Sequence, residues 1–396
     1  MNMNEQMKES EESILHTYNR FPVVFEKGQG CYLYDSEGKE YLDFAAGIAV
    51  NSLGYHYPGY DEALKDQIDK LLHISNLYYN EPIIEAGAKL VKASGMSKAF
   101  FTNSGTEAIE GALKAAKKYA YARDGHAGHE IIAMNHSFHG RSIGALSVTG
   151  TAHYREPFEP LMGGVKFADF NDLESVKAQI TDKTCAIITE VVQGEGGIYP
   201  AKKEFLEGLR RICDEKDIML IFDEIQCGMG RTGHYFAWQA YGVQPDIMTS
   251  AKALGCGVPV GAFVLSEKAA KASLEPGDHG TTYGGNPFVC AAVSKVFDIY
   301  ENDKIIEHVQ ETAPYLEQKL DELVAKHECA ATRRGMGFMQ GIVIQGRPVG
   351  EVVKAALAKG LLVISAGSDV LRIVPPLVIT KEHIDKMAAI LDECME

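Results

Sequence analysis

Positive charge is scarce in this sequence. Lys and Arg total 39 against 54 Asp and Glu, a net charge of -15 over 396 residues, and that balance opposes non-specific attachment to nucleic acid or to an anionic membrane. Long apolar runs are missing as well. None reaches the length of a membrane span, and the acidic, polar start MNMNEQMKESEESILHTY has no apolar signal core, so a cytoplasmic protein with small-molecule partners is expected. The eight cysteines (Cys31, Cys185, Cys213, Cys227, Cys256, Cys290, Cys329, Cys394) contain no C-x-x-C, and several sit inside apolar runs. They read as reduced core thiols. His126, His129, His136 and His139 crowd one region without a cysteine or carboxylate pairing to complete a ligand set, and no metal is expected. There is also no internal repeat, low-complexity segment or extended linker.

What is present is a long chain, 46% hydrophobic, with more core than one compact domain usually needs. Residues 1–60 combine a polar lead with two short strands, Cys31 to Asp35 and Tyr41 to Phe44, and the small-residue segment AAGIAVNSLG; this suits an arm and the edge of a domain. Across 61–275 strand-like runs alternate with helix-period segments. The runs are KAFFT, EIIAM, GVKFA, CAIITE, IMLIF, DIMTS and GAFVLS, and the helices fall near 61–72, 83–94, 105–122, 172–180 and 203–215. Strand and helix taking turns predicts an α/β fold with a doubly wound, mainly parallel sheet. Residues 276–396 carry helical patterns at 287–300 and 305–326, strands at 338–344, 361–365 and 370–374, and a closing helix from 381, which predicts a smaller α+β domain.

The chemistry concentrates at strand ends. IMLIF runs into Asp223-Glu224-Ile225-Gln226, and DIMTS runs into Ala251-Lys252; open α/β sheets bind ligands at such ends, and a desolvated lysine there can act as an amine nucleophile. KAFFT leads through Asn103-Ser104 into Gly105-Thr106 and an alanine-rich helix, whose unpaired N–H groups and positive dipole end suit a phosphate, although Ser or Thr there also serves as an ordinary N-cap. Asn135 to Arg141 offers Phe138 as an aromatic face and Arg141 as a carboxylate fork. The segment Thr189 to Gly197 ends a strand with two acids, Glu190 and Glu195, in a flexible loop. His279 to Pro287 is hydroxyl- and glycine-rich. Arg372, inside the apolar strand LRIVPPL, should face an acid or an anionic ligand, because burying it unpaired is costly. Gly228 to Gly233 fits G-x-G-x-x-G, but a poor helix start follows and no acid closes a second strand, so it reads as a turn rather than a dinucleotide site. A strand-end lysine, a strand-end acid, a phosphate cradle, a stacking aromatic and two arginines together suit pyridoxal 5'-phosphate. Its aldehyde needs a lysine amine, its ring nitrogen a carboxylate and its phosphate donors.

Four stretches, FDEIQCGMGRTG, SAKALG, FFTNSGTEA and TTYGGNP, make the chain resemble the class III aminotransferases of the ornithine and acetylornithine type, within the fold type I pyridoxal phosphate enzymes. The resemblance runs from about Phe25 to the C-terminus. It implies that Lys252 carries the cofactor as a Schiff base and later moves the proton, that Asp223 pairs with the ring nitrogen within the run Asp223, Glu224, Ile225, Gln226, that Gln226 approaches the ring hydroxyl, and that Phe138 stacks on the ring. Gly105 and Thr106 would hold the phosphate, with Thr282 joining from the neighbouring subunit of a homodimer. Arg141 would take a substrate carboxylate and Thr281 would touch the substrate. Arg372 would bind the carboxylate beside the reacting carbon, neutralised by Glu190 when the other donor is present. GIAVNSLG, HISNLYYNEP and NHSFHGRS point within the family to transfer of the terminal amino group of N-acetylornithine to 2-oxoglutarate; ornithine, N-succinyldiaminopimelate, succinylornithine and gamma-aminobutyrate are the alternative donors. Val191, Cys256 and Thr281 depart from the usual proline, glycine and serine, and none of these changes removes a charged group.

Overall fold

The computed structural model describes residues 2–396. The polar lead forms a helix, Met3–Ser13, because Asn2 and Glu5 close a capping box: the Glu5 N–H donates to Asn2 Oδ1 at 3.0 Å and the Asn2 N–H to Glu5 Oε2 at 2.9 Å. Three strands rather than two follow, β1 (Phe25–Gln29), β2 (Tyr32–Asp35) and β3 (Glu40–Asp43), in an antiparallel meander.

The seven predicted runs then appear as β4 (Lys98–Thr102), β5 (Glu130–Met134), β6 (Val165–Ala168), β7 (Thr184–Glu190), β10 (Met219–Asp223), β11 (Ile247–Ala251) and β12 (Gly261–Leu265), with an unpredicted two-residue pair, β8 (Val192–Gln193) and β9 (Tyr199–Pro200), between β7 and β10. Seven of these form one sheet in the order β4-β12-β11-β10-β7-β5-β6. Its pairings from β11 to β6 are parallel, while β12 is antiparallel to both neighbours. The exception has a simple cause. The connection from β11 to β12 holds only a short turn at Lys252–Leu254, too little chain for the crossover that a parallel partner requires. Strands β7 and β10 are buried along their whole length, as expected of parallel strands covered on both faces, and this explains their unbroken apolar sequence.

Later come β13 (Ala330–Met336), β14 (Met339–Ile344), β15 (Leu361–Leu362), β16 (Ile364–Ala366) and β17 (Val370–Ile373). Four make a second sheet, β13-β14-β17-β16, and β15 joins β3 as a parallel pair at the edge of the N-terminal meander. The helices Pro287–Asn302 and Ile305–Lys326 and the closing helix Lys381–Met395 lie where the periodicity places them. Strand β13 and the helix Val349–Ala358 were not expected. The exposed Ala331 and Thr332 beside half-buried Arg333 and Arg334 give β13 no clean alternation.

The arrangement brings one set of chain ends together. Asp223 is in register with Glu190 on one side and Thr249 on the other. Gly261 at the start of β12 pairs with Thr102 at the end of β4. The C-terminal ends of β4, β7, β10 and β11 therefore share one edge of the sheet, where the loops after them meet.

Candidate active site

A cavity of about 440 Å³ opens at that edge, lined by residues from every loop just named. Its first wall is the start of the helix Gly105–Asp124, which begins two residues after β4. The Ser104 hydroxyl caps the Glu107 N–H at 3.3 Å, while the first amides of a helix have no intrahelical partner and face outward as donors. Ile225 explains the glycine: a Cβ at Gly105 would lie 2.9 Å from its Cδ1. The Thr106 hydroxyl is held by Ser142, with Oγ1 to Oγ at 2.7 Å and the Ser142 N–H donating to it at 3.2 Å. Ser142 in turn bonds Glu110 one helical turn further on. The loop 139–145 is thus tied to the anion-binding end of the helix.

Across the cavity stands Asp223, buried at the end of β10. Its Oδ1 accepts from the Ile225 N–H at 3.0 Å and from the Thr249 hydroxyl at 3.2 Å. Its Oδ2 lies 2.7 Å from His139 Nδ1, which must be the protonated nitrogen facing an acceptor-only carboxylate. His139 is buried and its Nε2 has no partner. As a single residue of a histidine-rich stretch it gave no signal for this role; the sheet register supplies the partner.

Lys252 leaves β11 with φ +49, a left-handed conformation that non-glycine residues adopt under constraint. Its amine is pushed down to about 8, chiefly by burial in the cavity wall and then by the nearby Arg372 guanidinium, against the opposing pull of Glu195, Asp223 and Glu190. Phe138 and Arg141 line the same cavity, and the Arg141 guanidinium lies 5.4 Å from the Phe138 ring centre. Arg372 is buried on β17. One Nη donates to Glu195 and, at 3.2 Å, to Gln226 Oε1; the other donates to the Ser365 carbonyl at 3.1 Å.

Two expectations change here. Glu190 does not pair with Arg372: its Oε1 accepts from the Gly194 N–H at 3.1 Å and its Oε2 from the Phe138 N–H at 3.4 Å, while Glu195 takes the arginine. Burial, and secondarily Asp223 alongside, pushes the Glu190 carboxyl well above the usual range. The physical reason is that Glu190 ends a fully buried strand, whereas Glu195 lies past the Gly194 turn with room to reach β17. The Glu224 carboxylate is turned away from the cavity and accepts from the Ala237 and Trp238 N–H groups at 2.8 Å each. Gln226 meets Arg372, as above. Thr281 reaches the site's edge by accepting from Asn103 Nδ2 at 3.3 Å, and Thr282 does not line the cavity of its own chain. The histidines separate: His139 joins the site, whereas His126 and His129 lie within 4.8 Å of Asp124 at the far end of the helix, where Asp124 is already held by Arg123.

The donor set fits a flat, phosphorylated heteroaromatic aldehyde. Free amides and a hydroxyl stand at one end, a buried carboxylate at the other, an aromatic wall and a desolvated amine between them. Glycine-rich 228–233 is a turn, with Arg231 buried inside it and donating to the Phe338 and Pro375 carbonyls.

Comparison with known proteins agrees with this geometry. The sequence model of the family described as "Aminotransferase class-III" matches residues 14–395. The acetylornithine aminotransferase of Methanocaldococcus jannaschii is 49% identical over 383 residues, 96% of this chain and 95% of that protein. Among solved structures, the ornithine aminotransferase of Toxoplasma gondii superposes with a TM-score of 0.95 at 28% identity, over 100% of this chain and 95% of that one. The N-acetylornithine aminotransferase of Stenotrophomonas maltophilia does so with a TM-score of 0.84 at 35% identity, over 98% of both. With the lysine, the acid and the anion cradle at one sheet edge and the family pattern running nearly end to end, the chain belongs to the class III aminotransferases, which are pyridoxal phosphate-dependent transaminases.

Proposed function

We propose that the protein transfers the terminal amino group of N-acetylornithine to 2-oxoglutarate, giving N-acetylglutamate semialdehyde and glutamate, with pyridoxal 5'-phosphate held in the cavity between Gly105 and Asp223. The observation that carries this reading is the Lys252 amine, lowered to about 8, in a cavity that also holds a buried acid and an arginine and adjoins a second one. Bound there, the cofactor supplies an aldehyde carbon for the amine and a protonated ring that withdraws electrons from the reacting C–H bond.

The chain's own residues do the rest. Gly105 and Thr106 donate to the phosphate, Phe138 covers the ring, and Ile225 and Gln226 border it. Asp223, oriented by His139 and Thr249, keeps a proton at the inner end of the cavity. Lys252 would attach the cofactor and, when free, would take a proton at Nζ from the substrate carbon and return it. Arg141 binds the carboxylate remote from the reacting carbon. Arg372 binds the one beside that carbon in 2-oxoglutarate and glutamate, and Glu195 covers it when the donor brings none.

The same proposal includes a homodimer in which Thr282 serves the neighbouring subunit's site. Its support is an exposed apolar patch on 71–84, with Leu77 and Tyr79 at 86% and 96% exposure, beside exposed Tyr283. The Asn76 amide ties the two segments by donating to the Gly284 carbonyl at 2.8 Å. A domain division at 1–60, 61–275 and 276–396 also belongs to it. The seven-stranded sheet falls within the middle range and the sheet β13-β14-β17-β16 within the last. Among the described residues no helix is long and apolar enough to cross a membrane, and we place the enzyme in the cytoplasm.

The test is the visible absorption spectrum of the purified protein before and after adding one amine alone. N-acetylornithine, ornithine, succinylornithine, N-succinyldiaminopimelate and gamma-aminobutyrate are run in parallel, because discrimination among them is a small difference in binding energy. Fastest bleaching by N-acetylornithine is expected. Faster bleaching by another amine removes the donor assignment and leaves the reaction.

A further inference from the structure

Arg141 is held in an unusual way. Among the described residues no carboxylate lies within ion-pair distance of its guanidinium; its neighbours are aromatic rings. The guanidinium carbon lies 4.1 Å from the centre of the Tyr154 ring and 5.4 Å from that of Phe138. The two rings meet edge to face, with centres 5.9 Å apart at 81°. Phe138 belongs to the cavity wall, but Tyr154 does not touch the cavity. It stands on the short helix Ala152–Arg155, which is anchored by the neighbouring Arg155 guanidinium lying 4.2 Å over the Phe167 ring of β6.

An arginine at a cavity mouth normally finds an acid, and that acid competes with an incoming carboxylate. A ring face attracts the cation without occupying the N–H fork, and it also limits the rotamers of a long side chain. We propose that Tyr154 is a positioning residue: its ring holds the Arg141 guanidinium face-on, so that the fork meets a substrate carboxylate remote from the reacting carbon already oriented and unpaired. This rests on the reading that Arg141 binds that carboxylate. It selects, as a class, donors and acceptors with a carboxylate several bonds from the reacting centre, which N-acetylornithine and 2-oxoglutarate share.

The experiment is a double-mutant cycle on the loaded enzyme with Tyr154→Leu, Tyr154→Gln, Tyr154→Phe, Arg141→Met and the Arg141→Met/Tyr154→Leu double variant. KM and kcat are measured for N-acetylornithine and 2-oxoglutarate, and calorimetry gives the Kd of glutarate, a dicarboxylate that cannot react. Tyr154→Leu and Tyr154→Gln should raise both KM values and the glutarate Kd about two- to fivefold, the size of a cation–π contact to an exposed guanidinium, with kcat within about twofold. Tyr154→Phe keeps the ring face and should behave as the parent. In the Arg141→Met background the loss of Tyr154 should add nothing. If Arg141→Met raises KM and neither Leu nor Gln at 154 does, Tyr154 has no such role and the Arg141 reading survives. If Arg141→Met changes neither KM nor Kd, both fall together. An effect of Tyr154→Phe equal to that of Leu, or of Tyr154→Leu undiminished without Arg141, would also overturn the proposal.

Discussion

Lys252 shows how one residue's surroundings set its chemistry. An ordinary lysine at 10.5 is almost wholly charged at neutral pH; here burial brings it to about 8. The rate at which cofactor-free protein captures pyridoxal phosphate should therefore rise with pH through about 8 and level off above, measured as growth of the visible band by stopped flow. Stability carries the same shift with a definite sign. Below pH 8 the folded chain holds a charged, desolvated amine, and the cost is fully present. Between 8 and 10.5 the unfolded chain binds more protons than the folded one, so stability rises with pH, and above 10.5 the cost is gone. Lys252→Met, besides abolishing turnover, should stabilise the cofactor-free protein at pH 7 by roughly 1–3 kcal/mol, a figure discounted because the residue is only half-buried. The gain should shrink as melting is repeated towards pH 10. A second contrast separates the two acids. Glu195→Gln leaves Arg372 without its counter-charge and should slow the half-reaction with N-acetylornithine about tenfold while sparing that with 2-oxoglutarate. Glu190→Gln, which keeps an acceptor for the Gly194 and Phe138 amides, should change either half-reaction less than threefold in single-turnover measurements.

At the scale of elements, the anion cradle depends on how closely β12 approaches the helix Gly105–Asp124. A Cβ at Gly261 would lie 2.2 Å from the Ser104 carbonyl oxygen, and both are backbone positions that cannot swing aside. Gly261→Ala should destabilise by about 1–3 kcal/mol and displace the helix start. Its signature is a raised half-saturation concentration for pyridoxal phosphate, together with a lower denaturation midpoint. Gly163→Ala, where nothing lies within 4 Å of the added carbon, serves as the near-neutral control. The strand-to-helix step that builds the cradle was legible because KAFFT and the alanine-rich run have different periods. The antiparallel direction of β12 was not, since it follows from the brevity of the connection rather than from residue type.

For the molecule as a whole, the exposed apolar patch around Leu77 and Tyr79 is the surface that the proposed homodimer would cover. Leu77→Asp should convert the protein to single chains in sedimentation and lower turnover in proportion, because Thr282 would then serve no neighbouring site. A variant that remains dimeric and fully active would remove this patch from the interface.

The sequence alone determined the alternation of strands and helices and the residues at the strand ends, because each is encoded within a few neighbouring positions as period, charge and glycine placement, and the set of strand-end residues taken together pointed to the class of cofactor chemistry. Folding decided which of those residues meet. His139 pairs with Asp223 because β10 and the loop after β5 converge, Glu195 rather than Glu190 reaches Arg372 because one lies beyond a turn and the other inside a buried strand, and Tyr154 reaches Arg141 from a separate short helix. Contacts between distant segments depend on strand order and register, and no local pattern carries that information.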